Sequence, residues 1–136
     1  MILENNYAQK ELCNQLHELG LTAARYSWTY DRLKQGFVIS GISYEAQQQL
    51  NTVREIPVEV IPAFSSAELN ECMPDGYFTS RSKGVYSVTT LRKFDEHLRP
   101  YATTGNTEAN ARAQMVIELL ERSILNVEDV NAYLGK

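Results

Sequence analysis

The residues best suited to chemistry lie in the segment 76–94, where four basic side chains and no acidic one accompany aromatic rings. The basic residues are Arg81, Lys83, Arg92 and Lys93, and Tyr86 lies among them. Positive charge interleaved with aromatic rings is what a protein needs to follow a single nucleic-acid strand, because cations bind phosphates and rings stack on bases. The simpler interpretation is that the rings belong to the core and the cations balance acidic helices. The segment is therefore a candidate interaction surface.

A second aromatic group, Tyr26, Trp28 and Tyr30, alternates with polar residues and predicts one face of a half-buried strand. Three rings on one face of a strand usually pack on a helix. The alternative is a stacking platform for bases or a ligand. Tyr26 and Trp28 therefore join the basic residues as candidate interaction residues.

No sequence motif for catalysis or cofactor binding is present in the chain. His17 is expected to be a surface residue. His97 follows Asp95 and Glu96, and three consecutive side chains on a regular helix or strand cannot all face one metal ion. We predict no catalytic residue, no metal ligand and no cofactor, and we expect that the protein is not an enzyme. An active site assembled from distant residues stays open as an alternative.

The composition is that of a small globular domain, with 136 residues, 43% hydrophobic and 22% charged, and a net charge of −4. One domain covering residues 1–136 is expected at this length. The acidic balance weighs against a dedicated nucleic-acid-binding protein, since such domains usually carry a basic excess. Cys13 and Cys72 are interpreted as buried free thiols in a reducing cytoplasm, with a disulfide as the alternative. With no targeting signal and no membrane span, a soluble cytoplasmic protein is expected.

The elements that must position these residues are clearest in the middle of the chain. Ser65 and Glu68 match a capping box, in which each of the two residues binds the other's backbone amide at the start of a short helix. Residues 77–91 predict a hairpin whose turn lies near Lys83 and Gly84.

The remaining pattern predicts further helices and strands. Expected helix caps are Asn5 or Asn6, Ser43, Asn106 or Thr107, and Asn126. The longest helix is expected to be the main core element, with Ala109, Ala113, Val116, Ile117 and Leu120 on one face and Met115 and Leu119 widening it. Residues 25–30 and 37–39 predict a second hairpin or a meander, with a loop between the strands. Residues 56–62 predict an edge strand or a linker, and residues 101–106 a polar loop. The predicted fold class is α+β, a small antiparallel sheet of hairpins packed against amphipathic helices in a single domain.

Several landmarks together resemble a family of small uncharacterised proteins from phages, prophages and related mobile elements of bacteria. They are Leu19-Gly20, Tyr26 with Trp28, Pro-Ala-Phe-Ser at 62–65, Glu68-Leu69, Pro74, the tyrosine-bearing hairpin and the Ala-rich helix at 109–120. The resemblance implies a mobile-element origin and a small accessory role. Because the family has no assigned activity, the resemblance implies no catalytic residue.

Two functional hypotheses follow from the sequence. The first is a non-enzymatic protein-interaction module whose partner is another protein or, in a homodimer, a second copy of this chain. The second is a nucleic-acid accessory protein that binds single strands through the basic and aromatic hairpins. We favour the first hypothesis, expect the acidic segment 41–75 to neutralise the charge of segment 76–94 within the fold, and expect no membrane partner.

Overall fold

The computed structural model describes residues 4–74, 76–90 and 102–135, and its fold is α+β, as predicted. After a short 3-10 helix at Glu4–Asn6, the helices are α1 (Lys10–Glu18), α2 (Tyr44–Asn51), α3 (Ser66–Cys72), α4 (Glu108–Glu121) and α5 (Val127–Leu134). The strands are β1 (Tyr26–Asp31), β2 (Gly36–Ser40), β3 (Val60–Ala63), β4 (Tyr77–Ser82), β5 (Val85–Thr90) and β6 (Ala102–Gly105). None of the described helices has the length and apolar character needed to cross a membrane. The predictions made for Arg92, Lys93 and His97 lie outside the described residues.

The first sheet has the strand order β2-β1-β3 and is antiparallel throughout. The predicted hairpin of β1 and β2 is confirmed, with Trp28 opposite Ile39. On its other side β1 pairs with β3, where Ile61 lies opposite Trp28. The proline-bracketed stretch therefore ends in an edge strand, one of its two predicted structures. Pro62 is tolerated there because an edge strand needs fewer backbone donors than a central one.

The second sheet has the order β4-β5-β6 and is also antiparallel. Its first two strands confirm the predicted hairpin. Lys83 and Gly84 form the turn with positive φ angles of 53° and 79°, a backbone that matches the twist of paired strands. The polar loop predicted at 101–106 is wrong, because residues 102–105 form β6. The described residues therefore form two small sheets where the sequence predicted one.

The large apolar core lies between the first sheet and the helices α1, α3, α4 and α5. Its largest fully buried side chains include Leu16, Leu21, Phe64 and Leu69. Cys13 and Cys72 are buried and unpaired in the same core, as predicted. Burial raises the pKa of Cys13 to about 11 and that of Cys72 to about 12, so both thiols stay protonated at neutral pH.

Helix α4 is buried on two sides. On one side Ala109, Ala113, Val116 and Ile117 belong to the large core, and on the other Ala111, Met115 and Leu119 form a second core with Val88 of β5. A helix that is apolar nearly all round belongs inside a protein. Leu119 is fully buried, whereas Leu120 is only partly buried. Leu120 packs against the large core with the face on which it was predicted, but it is less buried than Leu119, which was expected only to widen that face.

Most predicted helix caps are confirmed. Side-chain oxygens of Ser43, Ser65, Thr107 and Asn126 accept the expected backbone hydrogen bonds, and the capping box of Ser65 and Glu68 is complete. The predicted cap of the first helix is wrong, because α1 follows Gln9, whose side chain makes no cap hydrogen bond. A bridge between Tyr7 and Ser65 holds the backbone extended after the 3-10 helix, so α1 cannot begin earlier.

The second sheet is joined to α4 by close and polar contacts. A Cβ atom on Gly105 would lie 2.6 Å from the backbone nitrogen of Ala111, so the close approach of β6 to α4 needs glycine. Thr103 Oγ1 donates to the Ala111 carbonyl at 2.9 Å. On β4, Thr79 Oγ1 accepts from Nε of Arg112 at 2.9 Å. These contacts fix both edges of the sheet.

Arg112 also links α4 to α3. Its Nη1 donates to Ser66 Oγ at 2.6 Å and to the Ser66 carbonyl at 3.2 Å. The same nitrogen lies 2.8 Å from Glu108 Oε1, which also accepts from Ser66 Oγ at 2.8 Å. Because the Arg112 side chain is only 15% exposed, these charge-assisted bonds are little weakened by water.

Candidate functional site

Two neighbouring cavities beside the start of β1 form the candidate site. The larger has a volume of about 450 Å³, and its walls include Ala24, Glu45 and Asn131. The smaller has a volume of about 230 Å³. Both cavities have Arg25 and Leu134 in their walls, so they lie side by side. We call the two together the groove.

Asn131 of α5 fixes one wall of the larger cavity. Its Oδ1 accepts from the backbone nitrogens of Thr22 at 2.9 Å and Ala23 at 3.2 Å. Its Nδ2 donates to the carbonyl of Gly20 at 2.9 Å. One side chain therefore satisfies three backbone groups and ties α5 to the segment that leads into β1.

The smaller cavity, which we call the tyrosine cleft, is lined by Tyr7, Arg25, Tyr26, Glu68, Glu71 and Tyr133 among others. The rings of Tyr7 and Tyr26 are stacked, with centroids 5.5 Å apart and planes inclined by 30°. Tyr26 is the first residue of β1, and Tyr7 is held by its bridge to Ser65. The cleft is therefore built where the N-terminal segment, β1 and α3 meet.

The charged side chains of the tyrosine cleft are only partly paired with other described residues. Glu68 Oε1 accepts from the nitrogen of Ser65 at 3.1 Å and from its hydroxyl at 3.0 Å. Glu68 Oε2 is buried without a hydrogen-bond partner in the described residues. Within the same part of the chain, Arg25 forms no ion pair with Glu68 or Glu71. The cleft thus contains two carboxylates and one guanidinium, a net charge of −1.

Tyr7 contributes a neutral phenol to the cleft. Burial of its hydroxyl, followed by the neighbouring Tyr26 and Glu68, raises the pKa of Tyr7 above its ordinary value of 10.0. The phenol is therefore protonated at neutral pH. Its ring presents a π face, and its hydroxyl both donates and accepts hydrogen bonds.

Two of the four basic residues that the sequence singled out, Arg81 and Lys83, lie elsewhere, at the hairpin of β4 and β5. Arg81 and Lys83 are exposed, and the Arg81 guanidinium lies 5.6 Å from the ring centroid of Tyr86. Tyr86 is half-buried against the second core. Neither cation pairs with an acidic residue of the described ranges, so the expected neutralisation by segment 41–75 is not observed there.

The aromatic row of β1 divides between core and surface. Trp28 is only 7% exposed, and its indole N–H donates to the Ala8 carbonyl at 3.3 Å, so it cannot serve as a stacking platform. Tyr30 is 40% exposed and meets Phe37 edge to ring. Tyr26 lines the tyrosine cleft. The core interpretation therefore holds for Trp28.

Sequence reasoning missed most of the groove. Its chemical groups Tyr7, Arg25, Glu68, Glu71 and Tyr133 come from four separate places in the chain, with both glutamates on α3. Glu68 was assigned only to a helix cap, a role it does fill. Only Glu68 and Glu71 are linked by a helical spacing, and the fold brings the other residues to them.

Among the described residues, two further cavities lie away from the groove, one of about 320 Å³ beside Thr29 and Arg54 and one of about 240 Å³ beside Leu120, and neither adjoins a second cavity as those of the groove do. In the ranges 4–74, 76–90 and 102–135, no group of three His, Cys, Asp or Glu side chains is arranged to hold a metal ion. His17, expected at the surface, is half-buried with its Nε2 3.4 Å from the hydroxyl of Tyr44. Comparisons with protein-family models, curated proteins and solved structures find no match for the chain. The groove is therefore the main evidence on function.

Proposed function

We propose that this protein is a non-enzymatic interaction module that binds an extended segment of a partner protein in the groove. The observation that carries the proposal is the pair of adjacent cavities with common walls at Arg25 and Leu134. An extended chain places successive side chains on opposite sides, so residues two apart could enter the two cavities. Mixed apolar and polar walls are what peptide-binding surfaces use for affinity and orientation.

The chemistry of the thiols supports a role without catalysis. A cysteine nucleophile needs a lowered pKa and access to solvent. Cys13 and Cys72 have the opposite properties, because both are buried and both have raised pKa values. Reduced thiols in an apolar core also suit the cytoplasm, which is part of the proposal. The proposal also includes the phage or prophage origin that the sequence resemblance implies. Identifying the genes on either side of this protein's gene would test that origin.

Selection from a library of random linear peptides tests the proposal. We expect enriched peptides to bind the wild type, and Ala132→Trp, which fills the larger cavity from an exposed position on α5, to weaken them about tenfold or more. Gln49→Trp is the matched control, because Gln49 is an exposed helix residue outside the walls of the groove. Absence of any enriched peptide, or equal binding by both variants, would rule out the groove as a peptide site.

Self-association is a second candidate, favoured by a different surface. Leu33, Val53 and Ile56 are 97%, 79% and 58% exposed. Leu33 lies in the turn between β1 and β2, and the other two follow α2. Exposed apolar side chains mark interaction sites when they are contiguous. Sedimentation analysis of the wild type and of Val53→Ser with Ile56→Ser tests it. A homodimer that the double variant dissociates would make a second copy of the chain the partner.

The nucleic-acid hypothesis rests on the hairpin, where the cations Arg81 and Lys83 are exposed. The Tyr86 ring already has Arg81 beside it and packs on the second core, so it is poorly placed to stack on a base. Binding of a labelled single-stranded oligonucleotide at low and moderate salt tests the hypothesis. Micromolar binding at moderate salt that is lost in Arg81→Glu with Lys83→Glu would replace the peptide proposal.

A further inference from the structure

The tyrosine cleft has a chemical character that narrows the partner. It combines two stacked tyrosine rings with Glu68 and Glu71, and its remaining charged wall residue is Arg25. Aromatic faces attract cations, and carboxylates accept their N–H groups. An acidic side chain would meet two carboxylates and one guanidinium. The balance of charge in the cleft therefore favours a cation.

The carboxylate of Glu68 is a second reason to expect a cation in the cleft. One carboxylate oxygen serves the capping box, while Oε2 is buried and has no hydrogen-bond partner in the described part of the chain. A buried, unpaired carboxylate oxygen is costly, and a nearby cation offsets that cost. Glu71, one turn further along α3, is exposed and extends the negative charge towards the mouth of the cleft.

The size and shape of the cleft indicate a side chain and not a bare ion. A volume of about 230 Å³ exceeds the needs of a metal ion, and two carboxylates alone make a poor metal site. The side chains of lysine and arginine have long apolar stems below a charged end. Such a stem can lie along the Tyr7 and Tyr26 rings while its charged end reaches the exposed Glu71 carboxylate. Because Glu68 Oε2 is closed to solvent, the cation offsets the charge of Glu68 from nearby and not by direct contact with that oxygen.

We propose that the tyrosine cleft receives a lysine or arginine side chain of the partner segment, with the cation held between the Tyr7–Tyr26 pair and the carboxylates of Glu68 and Glu71. The inference rests on the proposed function, since it assigns one side chain of the peptide bound in the groove. Arg25 lies at the boundary with the larger cavity and faces the neighbouring part of that segment.

Variants of the cleft test the inference with one peptide enriched by the selection above. Glu68→Gln removes the charge but keeps the capping box, which accepts Glu or Gln at this position. We expect Glu68→Gln to weaken peptide binding about tenfold, and Glu71→Lys to weaken it by at least as much. Glu121→Gln, at an exposed residue outside the cleft, is the control and should leave binding unchanged. Enriched peptides that share an acidic residue in place of a basic one would indicate that the cleft accepts an anion and would overturn the inference.

The peptide sequences give an independent measure. Enriched peptides should share a lysine or arginine, and replacing it with norleucine should reduce affinity as much as Glu68→Gln does. Peptides that bind in the groove without a basic residue, and that are insensitive to Glu68→Gln, would overturn this inference and leave the proposed function standing.

A small probe separates the two proposals completely. Nα-acetyl-lysine amide and Nα-acetyl-norleucine amide are titrated into the protein while amide NMR signals are recorded. Saturable shifts of Tyr7, Tyr26 and Glu68 with the lysine probe alone would support the cleft as a cation site, even if no library peptide bound. Equal shifts with both probes, or none with either, would overturn the inference.

Discussion

The two sheets of this protein are held in place in different ways. The first sheet lies on a large apolar core, and the central residue of its middle strand, Trp28, is buried there. In the described part of the chain, the second sheet contacts a small core with four buried residues and is joined to α4 by the close approach of Gly105 and by the hydrogen bonds of Arg112. The comparison suggests that apolar burial anchors the first sheet, whereas backbone fit and polar contacts contribute most to the second.

The difference extends to function. Around the first sheet, the N-terminal segment, α3 and α5 meet and leave the groove between them. The hairpin tip of the second sheet is exposed from Ser80 to Val85. The groove lies beside the large core, and walls supported by a core suit the proposed recognition of an extended segment, because a pre-formed site limits the entropy lost on binding.

The largest expected effect on stability compares a buried phenylalanine next to the first sheet with an exposed one on the second. Phe64 follows β3 and is fully buried, whereas Phe78 on β4 is 44% exposed. Phe64→Ala should lower the free energy of unfolding by about 3–5 kcal/mol, because it leaves a cavity in the large core. Phe78→Ala should cost much less. Chemical denaturation checks both, and equal losses would contradict the proposed contrast between the sheets.

The second core is tested at neighbouring positions of α4. Leu119→Ala should destabilise the protein by about 2–5 kcal/mol, because Leu119 is fully buried beneath the second sheet. The partly buried Leu120 should give a smaller loss, and the exposed Glu121 almost none when changed to alanine. Urea unfolding of the three variants measures the series. A larger loss for Leu120→Ala would restore the face predicted from the sequence.

The dependence of the second sheet on backbone fit is tested with two glycines. Gly105→Ala should destabilise by about 3 kcal/mol, since the new methyl group would meet the backbone of α4. Gly84→Ala should cost about 1 kcal/mol, because its neighbourhood is open and only the positive φ of 79° opposes the change. Thermal unfolding of both variants gives the comparison. A harmless Gly105→Ala would show that β6 can move away from α4.

Two adjacent serines sharpen the role of polar contacts. The sequence predicts that Ser65→Ala costs about 1 kcal/mol as a lost cap and that Ser66→Ala is near neutral. The structure changes the second expectation, because Ser66 Oγ binds Arg112 and Glu108. We now expect Ser66→Ala to cost about 2 kcal/mol, the range for hydrogen bonds to charged groups. A neutral Ser66→Ala in denaturation experiments would mean that the Arg112 contacts do not hold the second sheet.

The smallest expected effect on stability at neutral pH comes from the thiols of Cys13 and Cys72 in the large core. The pKa values of Cys13 and Cys72 are raised in the folded protein, so the stability they contribute is present below their ordinary pKa of 9.0. That contribution is lost as the pH rises through about 11 and 12. A thiol reagent at pH 8 should therefore react with neither cysteine until denaturant is added. Rapid reaction of the native protein would show that the large core opens.

The sequence by itself determined the local structures, which are the helix caps and the hairpins. Ser43, Ser65, Thr107 and Asn126 were predicted correctly as caps, and both hairpins were found, because these structures depend on residues within a few positions of one another. The α+β class followed from the same local patterns. The cap of the first helix failed because the bridge from Tyr7 to Ser65, 58 positions away, outweighs the preference of asparagine for a helix start.

What only the tertiary structure decided was which surfaces meet. The short polar strand β6 forms because α4 and β5 offer it a partner on each side, and its own residues carry no strong strand signal. Leu119 is more deeply buried than Leu120 because α4 has a second sheet on its other side. The groove combines residues from Tyr7 to Leu134, whose proximity depends on the packing of distant elements. Sequence spacing reports contacts along one helix or strand, and it contains no such signal for contacts between elements.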